Sequence, residues 1–503
     1  MSLFPKNARG MRVLLLETGT ALAVATLVSG CGSTYRPVVT PINPTGPAPQ
    51  PSSLAIVVSS PAPTSPGIAT IIDYSGDTIV AQAPIGPGPL AFSVDEGGST
   101  GYTVNSDGTL TNFPVSSQLQ EKNITYTTLP AASQSVGLFS PSAGLWVADL
   151  NGNVVDVLTG SPETFKLSIP VAPAPIAIVG PGSVSQRNYS ISLNTTGSNT
   201  LAYSDMTCNT APSTVTQAGE VDGLEASSNT VSSRIPVGAC PVYAIQSPDN
   251  KRLFVLNRGS DTVSVINSQN NTLDACAPFT NQNGKTVTCH PTLPLSTTAV
   301  TNTGITPPNG TAGMKATAGP VYGEYISATQ QLVVSNYDGN TVSLIDVSLD
   351  VYGNDSPTFG TTFTIPVGTN PSSVTAVADG SRAYTSNQAD GTVTIVNLSS
   401  HTVEKTLTVV GHPRTVASTS NSLYGKVYVA SPDSPYLTIL RTDQDIVDTT
   451  VLVQGNIVDV RVSSQNGVSG NANTTSRRPG AGQPCYLPGA AAAATLVSCQ
   501  TLP

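Results

Sequence analysis

Charge and aromatic side chains are both scarce in this 503-residue chain, at 10% and 5% of positions. There is a single tryptophan, Trp146, and only three histidines, His290, His401 and His412. Scarce aromatics argue against extended stacking platforms or aromatic cages. The histidines fall at no metal-ligand spacing, so each reads as a solvent-exposed loop or turn residue. Acidic residues outnumber basic ones, 30 to 21. Without residues 1–30, which hold Lys6, Arg9, Arg12 and Glu17, the remainder carries 18 basic and 29 acidic residues, a net charge of −11. A nucleic-acid binder needs a basic face to displace counterions, so no nucleic-acid partner is expected. No C-x-x-C, Walker loop or dinucleotide fingerprint occurs. Gly97-Gly98-Ser99-Thr100-Gly101 matches G-x-S-x-G, but it lies between two β-type segments instead of a strand and a helix. It therefore reads as a hairpin turn. The residues offer no catalytic, cofactor-binding or metal-binding set, and no cofactor is expected.

What is abundant is Thr, Ser, Val, Asn, Gly and Pro, a composition for strands and turns. In Ser381–Pro413, three β-type segments follow one another, Ala383–Ser386, Thr392–Leu398 and Val403–Val410. They are separated by Asn387–Gly391 and Ser399–Thr402, the pattern of an antiparallel meander. The pattern recurs. Leu253–Asn257 precedes Thr262–Asn267, Leu332–Asn336 precedes Thr341–Asp346, and Ala383–Asn387 precedes Thr392–Asn397, with the same Asn-to-Thr spacing each time. Asn257, Asn336 and Asn387 are read as turn formers. Each unit has four strands in roughly 40 to 50 residues, a propeller-blade period. Counting second strands gives eight: 54–59, 101–105, 145–149, 188–193, 253–257, 332–336, 383–387 and 426–430. Seven is the alternative count. The first unit lacks an opening strand and Asn456–Val462 can supply it, closing the ring. The expectation is an all-β chain with a single β-propeller over 54–464. It is interrupted by insertions near 194–219 and 276–319 and followed by a low-complexity tail, 465–503.

The repeat resembles the YVTN-type β-propeller repeat, in which a Tyr-Val-x-Asn strand, a Gly-Thr-Val-x-Val-Ile-Asp strand and an Ile-Pro-Val-Gly strand succeed one another. The match is strong over 236–454 and degenerate over 54–235. That resemblance implies a surface or secreted binding protein, with lactonase-like or quinoprotein-like enzymes on similar propellers as the alternative and DNA binding as a remoter one.

Lys6, Arg9 and Arg12 precede an apolar run that ends in Val28-Ser29-Gly30-Cys31. A positive flank, a short apolar core and small residues define a signal peptide over 1–30. The Val-Ser-Gly-Cys end resembles the bacterial lipobox, which implies lipidation of Cys31 and anchoring at the cell envelope, facing periplasm or exterior. An ordinary secretory signal with an incidental cysteine is the plainer alternative. Residues 31–53 are proline-rich, an extended tether of up to ~60 Å. The expected partner is an unidentified envelope protein or polymer. The remaining six cysteines of an exported chain imply disulfides. Sequence proximity suggests Cys208–Cys240, Cys276–Cys289 and Cys485–Cys499, with other connectivities open.

Overall fold

The structure, a computed structural model, describes residues 53–463 apart from 63–64, 131–134, 141–143, 151, 181–186, 195–217, 281–283, 285 and 296–317; beyond 463 it describes only 484–485 and 497–498. Among the described residues, eight antiparallel sheets follow one another around a β-propeller. Blade seven is the cleanest copy, with strands Pro371–Ala376, Arg382–Asn387, Thr392–Asn397 and Thr402–Thr408 running from the axis outward. The eight second strands observed differ from the sequence expectation by no more than a residue at each boundary. In blade one, Asn456–Val462 pairs antiparallel with Leu54–Ser60 as its innermost strand, as the missing opening strand required.

Packing of blade against blade builds the core. In Thr392–Asn397, Val393, Ile395 and Val396 are fully buried, while the outermost strand Thr402–Thr408 is mostly exposed. Inner strands are buried on both faces because each blade packs between two others, so they lose the apolar–polar alternation of the outer ones.

The innermost strands share a local device. The pairing register shifts directly after Pro89, Pro175, Pro241, Pro320 and Pro371. Each proline follows a residue with positive φ: Gly88, Ala174, Cys240, Gly319 and Asn370. Proline offers no N–H to a ladder and is tolerated at a strand's first residue or a bulge, so it fixes where pairing starts.

Antiparallel pairing assigns the turns to two ends of the propeller. Turns joining first to second and third to fourth strands lie at one end, here the near end. The chain enters Leu54 and leaves Val462 there: Ser463 N–H donates to Leu54 O at 2.8 Å and Leu54 N–H to Ser463 Oγ at 2.8 Å. At the far end, Arg187–Ser192 and Ala218–Glu225 flank the 194–219 insertion, most of which lies outside the described residues. The other insertion, near 276–319, begins within blade five. It splits that blade's outer strand into Thr272–Leu273 and Thr292–Pro294, both paired to Thr262–Asn267. The excursion between them carries a small hairpin, Phe279–Thr280 against Thr286–Val287.

Candidate functional site

At the near end, a cavity of about 710 Å³ opens between blades two and three. Its walls come from the turn after Pro89–Val94, the second and third strands of blade two, and the turn that holds Gly160, Ser161 and Glu163 in blade three. No lysine or arginine is among its lining residues; Asp95, Glu96 and Glu163 are. Glu163 is the best-fixed acceptor. It is buried, with Tyr102 Oη donating to Oε1 at 3.0 Å and Asn112 Nδ2 to Oε2 at 2.5 Å. Burial, reinforced by the Glu163 charge, pushes the Tyr102 hydroxyl far above its ordinary range, so it stays a donor.

Asp95 has a different job. Its carboxylate accepts from Ser99 N–H at 2.6 Å, Thr100 N–H at 2.9 Å and Ser99 Oγ at 2.7 Å. This is the G-x-S-x-G stretch, and it is a hairpin turn as expected. Gly98 has φ +68°, and an added Cβ would lie 2.2 Å from Ser463 O, so this turn is pressed against the last strand's exit. Ser99 is thereby tied to a structural aspartate.

The histidines differ from their expected solvent exposure. His290 Nδ1 lies 2.8 Å from Asp355 Oδ2, and its ring stacks on Phe359 with centroids 5.3 Å apart. Asp355 Oδ1 in turn takes Arg252 Nη2 at 3.1 Å, while Arg252 Nε lies 3.2 Å from Asp274. His412 Nδ1 lies 2.5 Å from Asp433, and His401 stacks on Phe363 at 3.7 Å. All three rings therefore have partners within the fold.

The repeated asparagines are also not turn formers. None of Asn257, Asn336 and Asn387 has positive φ. Asn387 Nδ2 donates to Thr392 Oγ1 at 3.0 Å and Thr394 Oγ1 at 2.8 Å, and Asn105, Asn257 and Asn336 repeat the pattern. The constant Asn-to-Thr spacing in blades five, six and seven is the footprint of this side-chain clamp between second and third strands. It also explains the Ile-Pro-Val-Gly glycine, because a Cβ on Gly368 would lie 2.5 Å from Asn387 Cγ.

A second recurring feature escaped the sequence reading. The second strand of blades four, five, seven and eight begins with a cation, and each reaches the next blade. Arg187 Nη1 donates to Ser268 O at 3.2 Å, Arg252 pairs with Asp355, and Arg382 Nη1 donates to Thr442 O at 2.8 Å. Lys426 Nζ donates to Tyr74 O at 2.7 Å and pairs with Asp77, joining blade eight to blade one. A lysine or arginine immediately before the apolar strand was visible at all four places.

Cys276 and Cys289 form a disulfide with Cα atoms 5.4 Å apart, the expected pairing. Cys240 is also disulfide-bonded. Cys31, Cys208 and Cys499 lie outside the described residues, and with them the expected lipidation and the Cys485–Cys499 pairing.

No family model matches the chain, and no curated protein matches it. Among solved structures, apo AztD from Citrobacter koseri is similar with a TM-score of 0.53 at 11% identity, over 82% of this chain and 97% of AztD. The dihydro-heme d1 dehydrogenase NirN, solved in complex with DHE, is similar with a TM-score of 0.52 at 15% identity, over 84% of this chain and 77% of NirN. At such identities the likeness is one of fold, that of a β-propeller.

Proposed function

We propose that this chain is an exported, lipid-anchored β-propeller that serves as a non-catalytic binding protein at the bacterial cell envelope. The cavity between blades two and three is the observation that carries the binding role. It presents a buried carboxylate held by two donors, with Asp95 and Glu96 beside it and no cation in the lining. Fixed acceptors in an open polar cleft suit a segment rich in donors, an ammonium-bearing or polyhydroxyl stretch of an envelope polymer or protein. The Cys276–Cys289 disulfide supports an oxidising compartment.

Two experiments test this reading. Cells making the full chain are fed an alkyne-tagged fatty acid and fractionated; label and membrane association are expected, and both are lost in Cys31→Ser. An unlabelled chain that fractionates like the variant defeats the anchor. Fluorescence anisotropy with labelled octalysine and with a labelled glucosamine hexamer tests the cleft. At least one probe is expected to bind about tenfold more weakly to Glu163→Gln; equal binding by both proteins, or no binding of either probe, removes the cleft from the argument.

A further inference from the structure

Blade four departs from the repeat at one spot. In blades two, five, six and seven, an asparagine amide donates both N–H bonds to two hydroxyls on the third strand, at 2.7 to 3.1 Å. The ladders identify the equivalent places in blade four. Ser192 pairs with Pro175 as Asn387 pairs with Pro371. Ser192 also pairs with Glu220 as Asn387 does with Thr392, and Ser190 with Asp222 as Thr385 does with Thr394. Both hydroxyl acceptors are thus replaced by carboxylates, and the amide donor is cut back to a serine.

Directly paired residues of antiparallel strands point to one face. Ser190, Ser192, Glu220 and Asp222 therefore share a face. Ser190, Ser192 and Asp222 are fully buried, and the Glu220 side chain is 18% exposed. Ser190 Oγ, Ser192 Oγ, Glu220 Oε1 and Asp222 Oδ1 make no hydrogen bond. The surrounding donors are few. Ala172 N–H donates to Asp222 Oδ2 at 2.6 Å. Arg234, with a 59% exposed side chain, has Nη1 3.5 Å from Glu220 Oε1 and Nε 3.9 Å from Asp222 Oδ1. One loosely held guanidinium thus stands against two carboxylates.

We propose that Ser190, Ser192, Glu220 and Asp222 form a binding site for a hard divalent cation of the calcium class. The donor set is all oxygen, two carboxylates with two neutral hydroxyls, which suits a hard cation and none of the soft thiolate- or imidazole-seeking metals. The irregular spread of donors along two strands fits the flexible shell of Ca²⁺ better than the strict octahedron of Mg²⁺, with water completing the coordination. The cation would stand where the repeat elsewhere places the asparagine N–H groups, between the same two third-strand side chains. It supplies in blade four the second-to-third-strand clamp that Asn387 supplies in blade seven. This site is independent of the cleft between blades two and three.

The test uses the purified full chain after dialysis against EDTA. Calorimetric titration with CaCl₂ is expected to show one site with Kd on the order of 10⁻⁵ to 10⁻³ M, the range of sensors and extracellular modules. Thermal unfolding should move to higher temperature with added Ca²⁺. Asp222→Asn is expected to weaken binding by at least about 30-fold. The triple variant S192N/E220T/D222T writes the ordinary triad into blade four; it should fold and lose the calcium response. Arg234→Gln, which removes the competing cation, should tighten binding severalfold. Calcium binding that survives in the triple variant places the ion elsewhere and overturns the proposal. So does a wild type that ignores Ca²⁺ but is stabilised on acidification, with that effect lost in Asp222→Asn; the two carboxyls would then share a proton instead.

Discussion

Replacing Arg252 by methionine should destabilise the propeller by about 3–5 kcal/mol at pH 8, the usual cost of removing one partner from a buried ion pair. Its side chain is 4% exposed and stands between Asp274 at 3.2 Å and Asp355 at 3.1 Å, which are 5% and 1% exposed. Methionine fills most of the volume, so the penalty is electrostatic: the two buried carboxylates are left with His290, 2.8 Å from Asp355, and the neutral amide of Asn267, 3.4 Å from Asp274. Burial, opposed by the Arg252 charge and reinforced by the Asp355 charge, already pushes the Asp274 carboxyl up to about 6. Without Arg252 it rises further, and at pH 5 the carboxyl escapes the penalty by taking a proton. The deficit should therefore fall to roughly half between pH 8 and pH 5. The assay is urea unfolding at both pH values, followed by fluorescence of the single tryptophan. Trp146 is buried in blade three, so it reports a loss in blade five only if the ring unfolds as a unit. Neutralising the partners as well, in R252M/D274N/D355N, should recover most of the loss. A deficit below about 1 kcal/mol at pH 8, or one that does not change with pH, would refute the reasoning.

Three further outcomes are expected. Asn387→Ala should cost about 1–3 kcal/mol by chemical denaturation, because it leaves the Thr392 and Thr394 hydroxyls without their donor. Gly368→Ala alone should be at least as damaging, since the new Cβ would lie 2.5 Å from Asn387 Cγ and 2.7 Å from its Cβ, but less so on an Asn387→Gly background, which removes both atoms; additive losses would show that the contact is not the cause. The melting temperature without divalent cations should rise as pH falls from 7.5 to 5. Burial is the main cause that pushes Asp222 and Asp274 each to about 6, above an unfolded value of 3.8, so their contribution is complete below 3.8 and is lost as pH rises through 6. A flat or opposite profile over that range counts against both assignments. Reducing Cys276–Cys289, or the double variant C276S/C289S, should speed proteolysis between Asp274 and Pro291 and leave the urea midpoint of the ring nearly unchanged. A large midpoint shift would show that the excursion is part of the cooperative core.

Much of the architecture was legible because strand periodicity and turn chemistry repeat. Val393, Ile395 and Val396 are buried for the reason their pattern suggests, and Gly391 has the positive φ its turn demands. The roles of individual polar residues were less legible, because a local pattern does not say what lies across the sheet. Asn387 at a strand end is as compatible with a turn as with a clamp. Its partners are Thr392 and Thr394 only once the two strands are in register. His290 looked like an exposed loop residue because Asp355, its partner, lies 65 positions away in the next blade. Glu163, the anchor of the cleft, carries no signal of its own: Tyr102 and Asn112 reach it from blade two.

The repeat is most useful as a ruler for its own exceptions. Four blades solve the junction of second and third strands with an asparagine and two hydroxyls, so a blade that departs from this needs another source of positive charge or hydrogen. Blade three pairs Asp149 with Val154 and buries Asp156, which accepts from Ser168 Oγ at 2.6 Å and is pushed upward by burial. Blade four carries Glu220 and Asp222. These two neighbouring blades gather buried acids at places where the other four hold neutral amides and hydroxyls. They also form one wall of the cleft, through Glu163, and the base of the far-end insertion, through Ser192 and Ala218. Acids are costly to bury without compensation, and mutation readily restores Thr or Asn at such places. That they stand together, in the two blades that border the cleft and the far-end insertion, sets blades three and four apart from blades two, five, six and seven, which keep the asparagine clamp.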